Sequence, residues 1–137
     1  MKKATLLLLV LLLFTLSGCG KSENREDFIT LYNAFLARGE GVEGYEVTEI
    51  EEYDGMEFFF VRVCLNTDDA VSVDDYMWFE ANVMYFSDRK DADTAYAKNQ
   101  ETGLGGVCLQ QGNVLIYWME NDPFEDLYTD VYTNVFG

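Results

Sequence analysis

Carboxylates are the one catalytic raw material this chain holds in excess, 25 aspartates and glutamates against nine lysines and arginines, with no histidine at all. Two carboxyl groups held about 5 to 9 Å apart can hydrolyse a glycoside, one as acid and the other as base or nucleophile. At this density of acids, adjacent pairs such as Asp68-Asp69 and Asp74-Asp75 arise from composition alone. Asp74-Asp75 stands directly ahead of Tyr76, Trp78 and Phe79, and acids beside aromatic rings suit a sugar or a cation. Asp74, Asp75 and Trp78 are therefore the candidate ligand loop, although a solvated loop feeding a core strand explains the same residues. The loop has no D-x-D-x-D-G pattern, so it is no regular EF-hand.

The missing histidine removes Ser-His-Asp and Cys-His nucleophile activation and the common zinc sites. After residue 19 the serines are Ser22, Ser72 and Ser87, and none stands in a G-x-S-x-G elbow. Gly103-Leu104-Gly105-Gly106 is followed by no Lys-Ser/Thr and reads as a turn rather than a phosphate loop. No catalytic residue, cofactor or metal is expected, and the balance leans away from an enzyme.

The third chemistry belongs to the cysteines, Cys19, Cys64 and Cys108. Cys19 ends the run Leu16-Ser17-Gly18-Cys19, which follows Met1-Lys2-Lys3 and an apolar stretch from Ala4 to Leu16. Two lysines, an apolar core and small residues before a cleavage point read as a secretory signal peptide. Residues 4 to 16 fall short of the roughly 20 that a spanning helix needs. Leu16-Ser17-Gly18-Cys19 resembles the lipobox of bacterial lipoproteins. The resemblance implies that the Cys19 thiol takes a diacylglyceryl group, that residues 1 to 18 are removed, and that two acyl chains, with palmitate among the fatty acids of such anchors, hold the protein on the membrane's extracytoplasmic face. Gly20 differs from the aspartate that resembles an inner-membrane retention signal, so in a two-membrane host outer-membrane sorting stays open. Cys64 and Cys108 remain. Outside the cytoplasm such a pair predicts a disulfide, with two reduced, buried thiols as the alternative.

Loss of Lys2 and Lys3 with the leader takes the net charge from −16 to −18. Such a surface repels nucleic acid and anionic lipid and attracts basic partners, and it also keeps a domain soluble. The abundance of aromatic and β-branched residues argues against disorder.

The residues after Cys19 suffice for a single domain. Residues 19 to 24 form a lipidated tether and residues 25 to 137 the domain. Phe28, Leu31, Tyr32, Phe35 and Leu36 recur at helical spacing, with Arg38 and Gly39 closing the helix. Asp54-Gly55 between β-rich runs predicts a two-residue hairpin joining 45–53 to 56–65, with Ile50 opposite Phe59 and Thr48 opposite Val61. A strand over 76–86 follows the acidic loop. Ser87 or Asp88 then caps a helix over 91–100 whose Ala92, Ala95 and Tyr96 would pack on a sheet. A second hairpin, turning near Gln111-Gly112-Asn113, places Val107, Leu109, Val114, Ile116 and Trp118 on one face. In the last helix Asp122 and Glu125 form a capping box around Pro123, ahead of the stripe Phe124, Leu127, Tyr128, Val131 and Val135.

The order αββ-βαββα indicates an α+β fold: two layers, a mostly antiparallel sheet of about five strands with helices on one side. Phe58, Phe60, Trp78 and Phe86 then lie opposite Phe59, Phe79 and Tyr85, and one set is left partly exposed unless the helices divide between the faces. The expectation is an exported lipoprotein with a non-catalytic binding or accessory domain, partnered by the membrane through its anchor and by a membrane or envelope protein. The alternatives are a small hydrolase with paired carboxylates and a purely structural or inhibitory envelope module.

Overall fold

The computed structural model describes residues 24–65, 77–102 and 105–137. The chain is an α+β domain. Helix α1 (Arg25–Gly39) leads into β1 (Tyr45–Val47), β2 (Glu51–Tyr53), β3 (Met56–Leu65) and β4 (Met77–Phe86). Then come α2 (Arg89–Thr102), β5 (Gly106–Gln111), β6 (Val114–Met119) and α3 (Glu125–Phe136). All strand pairs are antiparallel, in the order β1-β3-β4-β6-β5, with β2 pairing β3 beyond the end of β1.

Both hairpins form where turn chemistry requires them. Asp54 and Gly55 have φ of 49° and 77°, the two positive values of a type I′ turn, which matches the right-handed twist of the strands it joins. In the second hairpin Gly112 supplies φ 59° and Gln111 pairs with Val114. Val107 opposite Trp118 and Leu109 opposite Ile116 give the expected shared face.

The strand expected over 45–53 is broken in two. At β2 the pairing Glu51 with Phe58 continues the anticipated register, but Val47, not Thr48, lies opposite Val61. One extra residue has entered between Val47 and Glu51, a β-bulge. Thr48 holds it: its N–H donates to Phe60 O at 3.0 Å and its Oγ1 accepts the Phe60 N–H at 2.8 Å. The slip turns Tyr45 and Val47 onto the core face. There the Tyr45 hydroxyl donates to Phe35 O near the end of α1 at 2.8 Å, and burial pushes its pKa up to about 12.

The helices divide between the faces in a way the expectation of one covered side missed. α1 and α3 lie together on one face, where Phe28, Leu31, Phe35, Tyr128, Val131 and Tyr132 pack on Phe59, Val61, Ala81, Val83, Tyr85, Val114, Ile116 and Trp118. α2 lies on the other face, where Ala92 packs with Cys108 and Leu115, flanked by Met84, Phe86, Ala95, Tyr96 and Tyr117. Alanines let it approach closely, but among the described residues this one helix covers only β5, the adjoining part of β6 and the Met84–Phe86 end of β4.

Two sequence expectations change at the helix ends. Asp122 does cap, one turn early: its Oδ1 accepts the Phe124 N–H at 2.8 Å and its backbone O accepts the Glu125 N–H at 3.2 Å, forming a turn ahead of α3. Glu125 is the first helical residue and no side chain caps the helix, so the capping box does not form. Leu36 is 41% exposed and Leu127 half-buried, whereas Tyr128 is fully buried.

Candidate functional site

The half of the second face that α2 leaves open is the candidate site. Register puts Phe58, Phe60, Arg62 and Cys64 of β3 beside Met84, Asn82, Glu80 and Trp78 of β4, and Asn82 beside Tyr117 of β6. Alternation then aims all of them away from α1 and α3. A cleft of about 350 Å³ opens here, lined by Phe60, Trp78, Phe79, Glu80, Asn82, Tyr117, Met119 and Asp122. Of the exposed large apolar residues described, Trp78 (43%) and Met119 (55%) both line it. Exposed apolar groups gathered at one place, rather than scattered, mark a contact surface.

The polar groups have defined geometry. Arg62 and Glu80 face each other across β3 and β4, and Arg62 Nε donates to Glu80 Oε2 at 2.8 Å. The Arg62 guanidinium carbon lies 5.9 Å from the Phe60 ring centre, and Phe60 packs edge-on against Phe58 with ring centres 5.8 Å apart. Hydrogen bonding to Glu80 raises the Arg62 pKa further. Tyr117 donates its hydroxyl to Met119 Sδ at 3.2 Å. Asn82 Oδ1 is buried without a hydrogen-bond partner.

Glu80 and Asp122 both line the cleft, and a carboxylate hydrolase would need such a pair free to move protons. Asp122 is 5% exposed, and its oxygens accept the Phe124 N–H and, at 3.3 Å, the Tyr128 hydroxyl. Burial raises its pKa against the pull of those two donors. The same burial, with the Asp122 charge beside it, raises the Tyr128 hydroxyl. This acid is tied into the α3 start, and Glu80 is tied to Arg62. The arrangement suits holding a ligand on a flat aromatic surface better than moving protons.

Of the residues singled out from sequence, Trp78 lies in the cleft. Asp74 and Asp75 fall outside the described residues, as do Cys19 and the leader. Cys64 and Cys108 are both free, buried thiols. They share a face, but β4 and β6 stand between β3 and β5. Three strand spacings amount to roughly 14 Å, twice the reach of about 7 Å between Cα atoms that a disulfide allows. The expected bridge is thus corrected to two separate thiols. Burial pushes the Cys108 thiol up to about 11, which keeps it protonated and unreactive.

Sequence reasoning missed Glu80, Asn82, Tyr117 and Met119. The alternation of 76–86 marked Glu80 and Asn82 as polar neighbours of Trp78, but only the pairing with β6 brings Tyr117 and Met119 to them. Among the described residues no group of three or more cysteine, aspartate or glutamate side chains could hold a metal ion, and no helix is long and apolar enough to cross a membrane. Comparison of the chain with protein-family models, with curated proteins and with solved structures gives no match.

Proposed function

We propose that this is a lipid-anchored extracytoplasmic binding module, which presents the open half of its sheet to a ligand or envelope partner and performs no catalysis itself. One observation carries the binding reading: Trp78 and Met119 stand exposed in an aromatic cleft on a sheet whose other face is closed by two helices. The anchoring reading rests on the lipobox resemblance at Cys19. The Asn24 side chain grips the β5–β6 turn, donating from Nδ2 to Gln111 O at 2.8 Å and accepting the Asn113 N–H at 3.0 Å. Asn24 lies only five positions after Cys19, a span of about 18 Å at full extension. An anchored domain would then stand with the β5–β6 turn toward the bilayer. Trp78 and Met119, at the other end of their strands, would point outward.

Both halves of the reading are tested in cells of the native host. Cys19→Ala should leave unprocessed precursor without lipid label, and normal processing of that variant would remove the anchor. A photo-crosslinking residue in place of Trp78 should give a discrete adduct, while the same residue at Thr129, exposed on α3, should not. Equal patterns at the two positions would remove the binding face.

A further inference from the structure

We infer that the ligand of this face is a guanidinium cation, carried by an arginine side chain of a basic polypeptide. The inference rests on the reading that the face binds and goes on to its chemistry. The cleft is lined by the aromatic residues Phe60, Trp78 and Tyr117, and aromatic rings attract cations to their faces, as Arg62 over Phe60 shows. Its charged and orphaned groups are acceptors: the Glu80 carboxylate, the unpartnered Asn82 Oδ1, and the Tyr117 oxygen, whose proton is directed at Met119 Sδ. Among the described residues no lysine or arginine lines it. An anion would meet Glu80 and a net charge of −16, whereas a planar donor-rich cation meets acceptors and rings together.

The protein's own Arg62 shows the geometry at the rim. Its guanidinium lies over Phe60 and bonds the one Glu80 oxygen, Oε2. An incoming arginine therefore competes with Arg62 for the same ring and carboxylate. That competition distinguishes a guanidinium site from general attraction to an acidic surface, because removing a native cation should then tighten binding of a foreign one beyond its effect on net charge.

The test is calorimetric titration of the full chain in detergent with a tetra-arginine amide, and with agmatine and chitotetraose in parallel, while the Trp78 indole N–H is followed by NMR. Tetra-arginine should bind saturably and shift the Trp78 signal, more tightly than agmatine. Glu80→Gln should weaken it about tenfold, the lower end of what a hydrogen bond to a charged group contributes, since Glu80 is part-exposed. Arg62→Gln should tighten it severalfold, by more than Arg25→Gln, which adds the same negative charge at the far end of β3. Equal effects of Glu80→Gln and of Glu51→Gln on the edge strand, or equal effects of the two arginine variants, would reduce the binding to bulk charge and overturn the inference. Agmatine binding as tightly as the peptide would overturn the polypeptide source. Chitotetraose moving the Trp78 signal in place of the cations would overturn the cation and leave the binding face standing. Crosslinks at position 78 in cells without tetra-arginine binding would likewise sink this inference alone.

Discussion

The two faces of the sheet are built from similar residues and end in different states. On the covered face Phe28 and Phe35 lie 5.5 and 6.2 Å from Phe59, ring centre to ring centre, and α1 and α3 bury these rings with Tyr85, Trp118 and Tyr128. On the other face Phe58 and Phe60 pack against each other at 5.8 Å, with Trp78 and Met119 open beyond them. Among the described residues three buried side-chain polar atoms lack a partner, one of them Asn113 Oδ1 at the β5–β6 turn. Trp118 Nε1 is sealed beneath α3, whereas Asn82 Oδ1 borders the cleft. An aromatic residue in a strand is thus neither core nor site by type; the number of helices laid over it decides.

The comparison breaks most visibly at Phe59. Phe59→Ala, fully buried between α1 and the sheet, should cost about 3 to 5 kcal/mol in a denaturant titration. A loss under 1 kcal/mol would mean that the covered face is not the core.

Next in size is the turn that fastens the start of α1 to the sheet. At Gly112, φ is 59° and an added Cβ would lie 2.8 Å from the Asn24 amide. Gly112→Ala should cost about 1 to 3 kcal/mol, through the left-handed backbone and the displaced Asn24 clamp. Asn24→Ala should reproduce part of that loss, and additivity of the two variants would show that they do not share the clamp.

A smaller, pH-dependent effect belongs to Asp122, at the junction of the two faces. Its folded-state pKa is raised from 3.8 by burial, so the folded protein holds that proton more tightly than the unfolded chain does. The stabilisation is fully present below pH about 3.8 and is lost as pH rises through the folded value. Asp122→Asn keeps an acceptor for the Phe124 N–H without the charge. The variant should equal or exceed the parent in thermal midpoint at pH 7, and the parent should gain on it as the pH falls. A parent that loses ground on acidification would show that the carboxylate, not the acid, is the stabilising form.

The smallest effects sharpen the open side. Trp78→Ala should change stability by no more than about 0.5 kcal/mol, since the residue is 43% exposed and belongs to neither buried cluster. Reductant should leave the thermal midpoint of the purified protein unchanged, because Cys64 and Cys108 are too far apart to be bridged. A drop with reductant would overturn the strand order itself.

Much of the architecture was legible locally. Asp54-Gly55 and Gly112 demand left-handed backbone that hairpin turns supply, and the two-residue period sorted Phe59 from Phe60 and Val107 from Cys108 before any packing was known. The apolar stripe of α1 and most of α3 could be read in the same way, as could Trp78 as a residue to inspect. The chemistry excluded by the missing histidine follows from composition alone.

Tertiary structure decided what depends on neighbours distant in sequence. The insertion at Thr48 is favourable because it brings Tyr45 to Phe35 and Val47 to the core; no local signal marks it. Asn24 reads as the end of a tether, yet its amide closes a turn 87 residues away. Leu127 and Tyr128 belong to one helical stripe, and only the angle at which α3 lies on the sheet buries the second more deeply than the first. Cys64 and Cys108 share a face by alternation, but their separation is set by the two strands that pair between them. Faces and turns are properties of a few consecutive residues; the order of strands and the placing of three helices on two faces follow from minimising exposed apolar area over the whole chain, and the cleft is what those helices leave uncovered.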